Sequence, residues 1–332
     1  MRPFILERAA DVPEALRLTA AHVDSHYLAG GTTLLDLIKL DVMHPGAMID
    51  VNALRSDYGG IMMDGNGLYL GALVRMAAAA EHSALKRDYP ILSDALRQAA
   101  SPQLRNMASL GGNVLQRTRC PYFRDPTWAA CNKRTPGSGC AAMGGVNRLL
   151  AILGTSADCI AHYPGDFAVA LAALDARVDV LGPDGARSMA FTDLHRSPGD
   201  TPHVETTLRP AELIAGFHVP AGPWTRRSLY LKVRDRASYA FAIASAAVAL
   251  ELDVDGTVKV ARIGLGGLAT RPWRSHEAEA VLVGRIPDQA AAQEAAETAF
   301  AAAVTHGDND FKPELGRRTL VRALLAAAHM EA

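Results

Sequence analysis

The chain has 332 residues, with 34 basic and 35 acidic side chains for a net charge of −1, and is 49% hydrophobic and 21% charged. That length predicts two domains, or one domain with a large insertion, and the apolar content supplies a sizeable core. The balanced charge argues against nucleic acid or an anionic membrane surface as partner, and the longest apolar stretch, around Ala240 to Leu250, is too short and alanine-rich to span a bilayer. A small ligand or a protein partner is expected instead.

The opening Met1-Arg2-Pro3 reaches Glu7 and Asp11 without the apolar segment of a secretory signal, so no export signal of the chain's own is expected. From Phe4 to Leu54 the pattern predicts a βαβαβ unit, which favours a parallel sheet. Asp11 caps its first helix with Pro13 in the first turn, a strand runs near His26 to Ala29, a second helix follows Thr32 and Thr33, and a third strand ends at Asp50. In the junction Leu28-Ala29-Gly30-Gly31-Thr32-Thr33-Leu34, two glycines let the backbone approach a ligand. The helix start then offers free amides to a phosphate. Neither a dinucleotide fingerprint nor a phosphate-binding P-loop is present, and a glycine pair alone also reads as an ordinary turn.

Ile61 to Gly71 predicts a hairpin around Asp64-Gly65-Asn66-Gly67, followed by alanine-rich helices through Ala100. Asp166 to Leu174 reads as a helix, for which Asp166 could be the N-cap, and Arg177 to Leu181 with Arg187 to Phe191 as a hairpin. Glu212 to Val219 is the last strand expected before Pro220-Ala221-Gly222-Pro223, where a domain boundary is placed. Beyond it, strands at Leu229 to Val233, Tyr239 to Leu252 and Val258 to Leu265 and helices from Trp273, Asp288 and Lys312 predict a small α+β domain. Its three-stranded antiparallel sheet would carry a helical cover, with the run Ala290 to Val304 a packed amphipathic helix.

All four cysteines, Cys120, Cys131, Cys140 and Cys159, fall in one irregular basic segment and are separated by ten, eight and eighteen residues. No Cys-x-x-Cys pair is present. Arg117, Arg119, Arg124, Lys133, Arg134 and Arg148 lie in or beside it against Asp125 and Asp158, together with Gly137-Ser138-Gly139. Four gathered thiols suggest a shared ligand. Basic residues and glycine amides suit an iron-sulfur cluster, whose potential responds to charge and to amide bonds to sulfur. Residue types alone leave zinc, two disulfides or free thiols open as well.

With these loops in order, the whole chain resembles the FAD-binding subunit of the molybdenum hydroxylases, the xanthine dehydrogenase and aldehyde oxidoreductase family. The resemblance rests on Ala29-Gly30-Gly31-Thr32-Thr33-Leu34-Leu35, Ala108-Ser109-Leu110-Gly111-Gly112-Asn113, Pro164-Gly165-Asp166, Lys232 and Tyr239-Ala240-Phe241. In most of that family the second motif runs almost directly into the third, whereas here roughly forty extra residues intervene and hold every cysteine. The insertion, about residues 117–163, is similar to one that carries a [4Fe-4S] cluster in the FAD subunit of periplasmic aldehyde oxidoreductases. Cys120-Pro121-Tyr122-Phe123-Arg124-Asp125 and Cys131-Asn132-Lys133-Arg134 carry that similarity. A related insertion occurs in the flavin subunit of hydroxybenzoyl-CoA reductases.

The resemblance implies an α+β fold: a FAD-binding domain over residues 1–221, divided at residue 55, and a C-terminal domain over 222–332. It implies that Tyr27, Leu28, Ala29, Gly30, Gly31, Thr32, Thr33 and Leu34 cradle the FAD pyrophosphate, and that Ser109, Gly112 and Asn113 close on the phosphates and ribityl chain. Leu115 and Gln116 would follow the flavin, Asp166 would accept from a sugar hydroxyl or ring group, Lys232 would reach the isoalloxazine, and Ala100 and Ile214 would line the pocket. Cys120, Cys131, Cys140 and Cys159 would hold the cluster. No nucleophile triad, HExxH motif or telling carboxylate pair is present, so no catalytic residue is assigned. The implied function is electron transfer from the [2Fe-2S] clusters of a small subunit, through FAD, to an external acceptor, with substrate oxidised on a large molybdenum subunit. Such a heterotrimer would be periplasmic by co-export with a signal-bearing partner, or cytoplasmic if not exported. A stand-alone flavin reductase and a zinc-bearing nucleotide-binding module are the readings of other classes.

Overall fold

The computed structural model describes residues 1–331. Strands β1 (Ile5–Arg8), β2 (Ser25–Leu28) and β3 (Ala47–Asp50) form a parallel sheet in the order β1-β3-β2, the expected βαβαβ unit. Its first helix, Val12–Ala21, is capped by Asp11, which accepts from the Glu14 amide at 2.8 Å. The second, Leu34–Lys39, starts directly after the glycine loop. A small core of Ala9, Ala15, Leu18, Ala47, Ile49 and Val51 holds this unit together.

The chain then builds a five-stranded antiparallel sheet from β4 (Ile61–Asp64), β5 (Gly67–Gly71), β6 (Arg177–Gly182), β7 (Gly185–Ala190) and β8 (Leu213–Pro220), in the order β4-β5-β8-β6-β7. Of the helices between Met76 and Val114, Leu110–Val114 packs on β5 and β8, while Pro90–Gln98 packs on the C-terminal strand Ser228–Val233. Every residue of the helix Asp166–Ala173 is buried, as expected for a helix in which every residue but Asp166 is apolar. This helix lies against the C-terminal sheet, where a Cβ on Gly264 would come within 2.6 Å of the Val169 carbonyl. Glycine there lets the two layers close on each other.

The C-terminal sheet contains the three expected strands, β9 (Ser228–Val233), β10 (Ala244–Leu252) and β11 (Val258–Gly266), all antiparallel, with a two-residue β12 (Trp273–Arg274) on its edge. Three boundaries differ from expectation, the first being the helix expected over Ala290 to Val304, which ends at Ala299. Residues Tyr239 to Ile243 are not strand; Tyr239 has φ +51°, a left-handed backbone that a strand does not accommodate. The helix expected from Trp273 begins at His276, because Trp273 pairs with Leu265 instead. Helices His276–Leu282, Gln289–Ala299 and Lys312–Ala328 complete the cover. Among the described residues no helix is long and apolar enough to cross a membrane.

Between Gln116 and Gly165 only Pro121–Arg124 is helical. The segment has its own core, in which Cys120, Tyr122, Phe123, Cys131, Leu150, Cys159 and Ile160 pack with Leu37 and Val42. It is therefore seated on the second helix of the βαβαβ unit. Arg119 and Arg124 fasten it further through Asp36 Oδ2, at 3.1 and 2.8 Å.

Candidate functional site: a glycine-loop cavity beside a cysteine cavity

A cavity of about 520 Å³ opens beside the first glycine loop, within the range of small-molecule sites. All eight residues from Tyr27 to Leu34 line it, as do Ser109, Gly112, Leu115 and Ile214. The loop is fixed from behind: Asn52 Nδ2 donates to the Ala29 carbonyl at 2.9 Å, and Arg75 joins Asn52 Oδ1 to the Met107 carbonyl. No backbone amide from Gly30 to Leu34 has a hydrogen-bond partner among the described residues. Main-chain donors at a helix start are what a diphosphate needs, and a cradle this open toward the cavity fits FAD.

The glycines earn their place in different ways. A Cβ on Gly30 would meet the Met107 carbonyl oxygen at 2.1 Å, so this residue is required by the chain's own packing as well as by any ligand. Gly31 has φ +72°, which favours glycine. Ser109 caps the helix Leu110–Val114 by accepting from the Gly112 amide at 3.2 Å.

Five expected residues do not line this cavity: Ala100, Asn113, Gln116, Asp166 and Lys232. Asn113 Oδ1 is buried and finds no donor among the described residues. Ala100 has φ +50°, a strained conformation for alanine. Gln116 lines a smaller void. Asp166 is not the N-cap, a position taken by Gly165, and its side chain makes no capping bond. Its carboxylate instead accepts from Tyr230 Oη at 2.6 Å and from Lys232 Nζ at 2.7 Å, with the two charged side chains only 4% and 1% exposed. Lys232 also donates to the Gln98 carbonyl at 3.0 Å, so the C-terminal sheet reaches back into the FAD-binding part of the chain.

The four cysteines converge from separate turns. Cys131 and Cys140 face each other across an isolated antiparallel bridge, and all four thiols, none in a disulfide, line one narrow void of about 10 Å³. Burial pushes the Cys120 thiol up to about 12 and the Cys159 thiol up to about 11. Opposing this, the amides of Phe123 and Tyr122 favour the Cys120 thiolate, Lys133 favours that of Cys159, and the Ala161 amide donates to Cys159 Sγ at 3.5 Å.

Among the described residues no group of three or more His, Cys, Asp or Glu side chains is arranged to hold a metal ion. Four thiolates around one tetrahedral zinc stand roughly 4 Å apart, given Zn–S of about 2.3 Å. The donor set, the amide bonds to sulfur and the basic surroundings fit an iron-sulfur cluster. The void has room for about one water.

Several residues at these cavities were not singled out as site residues from sequence: Arg117 and Thr206 on the large cavity, and Glu205, which lines both that cavity and the smaller void. Arg117 shows in sequence only as one basic residue among several. Glu205 gives no local signal because its partners, Arg117 and Lys133, are distant along the chain.

A backbone-built cradle of this size, in a chain closed by a C-terminal antiparallel sheet, suits a dinucleotide such as FAD. Residues 2–222 match the FAD-binding domain in molybdopterin dehydrogenase, and residues 229–332 match the CO dehydrogenase flavoprotein C-terminal domain. The chain belongs to the FAD-binding medium subunits of the molybdenum hydroxylases. It is 46% identical to the aldehyde oxidoreductase FAD-binding subunit PaoB of Escherichia coli, over 98% of this chain and 99% of that protein. It is 25% identical to the glyceraldehyde dehydrogenase medium chain of Sulfolobus acidocaldarius, over 85% and 82% of the two chains. Among solved structures, a chain of reconstituted CO dehydrogenase from Oligotropha carboxidovorans superposes with a TM-score of 0.77 at 25% identity, covering 98% of each chain.

Proposed function

We propose that this chain is the electron-transfer subunit of a heterotrimeric, molybdenum-dependent aldehyde oxidoreductase, taking electrons from a [2Fe-2S] small subunit and passing them through FAD to an external acceptor. The observation that carries this reading is the end-to-end 46% identity with an aldehyde oxidoreductase FAD-binding subunit. FAD supplies the two-electron to one-electron redox chemistry, and the protein supplies binding and position. The loop from Tyr27 to Leu34, with Ser109 and Gly112, would hold it; Cys120, Cys131, Cys140 and Cys159 would hold a [4Fe-4S] cluster. The single void shared by those four thiols supports one cluster rather than four separate roles.

The large molybdenum subunit would carry substrate oxidation; no catalytic residue is assigned among the described residues of this chain. Co-export to the periplasm with a signal-bearing partner completes the proposal. The test is expression of the chain alone and with both partner subunits, followed by fractionation, size-exclusion chromatography and an aldehyde oxidation assay. Activity is expected only in the three-subunit complex and in the periplasmic fraction. Aldehyde turnover by the isolated chain would overturn the relay assignment, and a complex confined to the cytoplasm would overturn co-export alone.

A further inference from the structure

Three cavities stand in a row, and one ion pair spans them. The void between the two ligand cavities, about 60 Å³, shares Lys133, Cys159 and Ala161 with the cysteine void and Leu115, Glu205 and Thr206 with the large cavity. Lys133 Nζ donates to Glu205 Oε1 at 2.8 Å and to the Pro202 carbonyl at 2.9 Å. Arg117 Nε donates to Glu205 Oε2, while its guanidinium lies over the Phe123 ring at 4.5 Å to the centroid. Burial acts to raise the Glu205 carboxyl, but Arg117 and Lys133 outweigh it and hold it below the usual carboxylate range. Two cations and one anion are thus held between the cavities, and the Lys133 side chain is only 11% exposed.

We propose that Lys133, anchored by Glu205, is a positioning residue whose charge sets the reduction potential of the cluster held by Cys120, Cys131, Cys140 and Cys159. The inference rests on the cluster assignment made above. One-electron reduction adds a negative charge to a centre that four thiolates already make anionic, so a neighbouring cation favours the reduced form and a neighbouring anion disfavours it. Lys133 shares a void wall with Cys159 and is weakly screened there. Glu205 holds the ammonium in place and offsets part of its field. Because Glu205 also borders the large cavity, the same pair lies between the cluster and the flavin.

The test is an EPR-monitored potentiometric titration of the anaerobically purified complex, with flavin absorbance followed in the same samples, for wild type, Lys133→Gln, Lys133→Arg and Glu205→Gln. The cluster midpoint is expected to fall in Lys133→Gln, to rise in Glu205→Gln, whose amide oxygen still accepts from Lys133, and to stay at the wild-type value in Lys133→Arg. The flavin midpoint is expected to move less than the cluster midpoint in Lys133→Gln. Shifts of the same sign in Lys133→Gln and Glu205→Gln, or an unchanged midpoint at full iron content, would overturn the inference while leaving the cluster assignment standing. Loss of the cluster in both Lys133 variants would make Lys133 a structural strut and also overturn it. Wild-type protein without iron would bring down the cluster assignment itself, and this inference with it, a result read by metal analysis before any potential is measured.

Discussion

The large cavity and the cysteine void share the helix Leu34–Lys39, yet they are built by opposite means. Leu34 and Leu37 stand in the wall of the large cavity, and Leu37 also packs in the cysteine core. On the cavity side the working groups are main-chain amides, made available by glycines and by helix starts. On the cysteine side they are thiols and charged side chains carried by a backbone with a single turn of helix. The first site should therefore tolerate side-chain changes and fail when a Cβ is added; the second should tolerate backbone adjustment and fail when a side chain is changed.

The largest expected effect lies on the cysteine side. Cys159→Ser should take iron and sulfide from about four of each per chain to near zero, since a cubane needs its four thiolates, while flavin content stays near one. Joint loss of flavin and iron would mean that the two sites are not separately built. On the other side, Gly30→Val should both release FAD and lower stability by about 3 kcal/mol, because the new side chain drives into the Met107 carbonyl. Thr32→Ala, in the same loop, should retain FAD and change stability by less than about 0.5 kcal/mol. Thermal melting with flavin absorbance separates the two; flavin loss in Thr32→Ala would show that hydroxyls, not amides, hold the ligand.

Alkaline pH should sharpen the contrast. With metal removed, the buried thiols of Cys120 and Cys159 ionise at about 12 and about 11, against an ordinary value near 9.0. The unfolded chain then loses these protons more readily than the folded one, so the protection is complete below about 9 and is lost as pH rises toward 12. Metal-free protein should thus lose melting temperature more steeply above pH 9 than cluster-loaded protein, whose thiolates are already bound. Parallel slopes would contradict it. The smallest effect is expected at the seam: Asp36→Asn weakens the contacts to Arg119 and Arg124 and should cost about 1 kcal/mol or less. Iron loading should fall before flavin loading does.

What the sequence makes legible follows the same division. The glycine loop, Asp11 as N-cap and the βαβαβ unit are local patterns, and four cysteines within one segment stand out by position alone. The long-range pairs are not local. Asp166 reads as a helix cap from its place after Pro164-Gly165, but its carboxylate is taken by Tyr230 and Lys232 from the distant β9. Glu205 carries no motif at all, and its importance comes only from the two cations that fold against it. Gly30 shows the reverse: a glycine expected for a ligand's approach is also demanded by the backbone behind it. The left-handed Tyr239 turn shortened a strand that apolar pattern alone would extend.

On this proposal one chain holds a flavin on its backbone and an iron-sulfur cluster on its four cysteines. Metal, sulfide and flavin analysis of anaerobically purified protein, with its absorbance spectrum, tests both halves together. About four iron, about four sulfide and one FAD per chain are expected, with flavin bands over broad iron-sulfur absorption. Flavin accompanied by stoichiometric zinc, or by four freely titrating thiols, would contradict it.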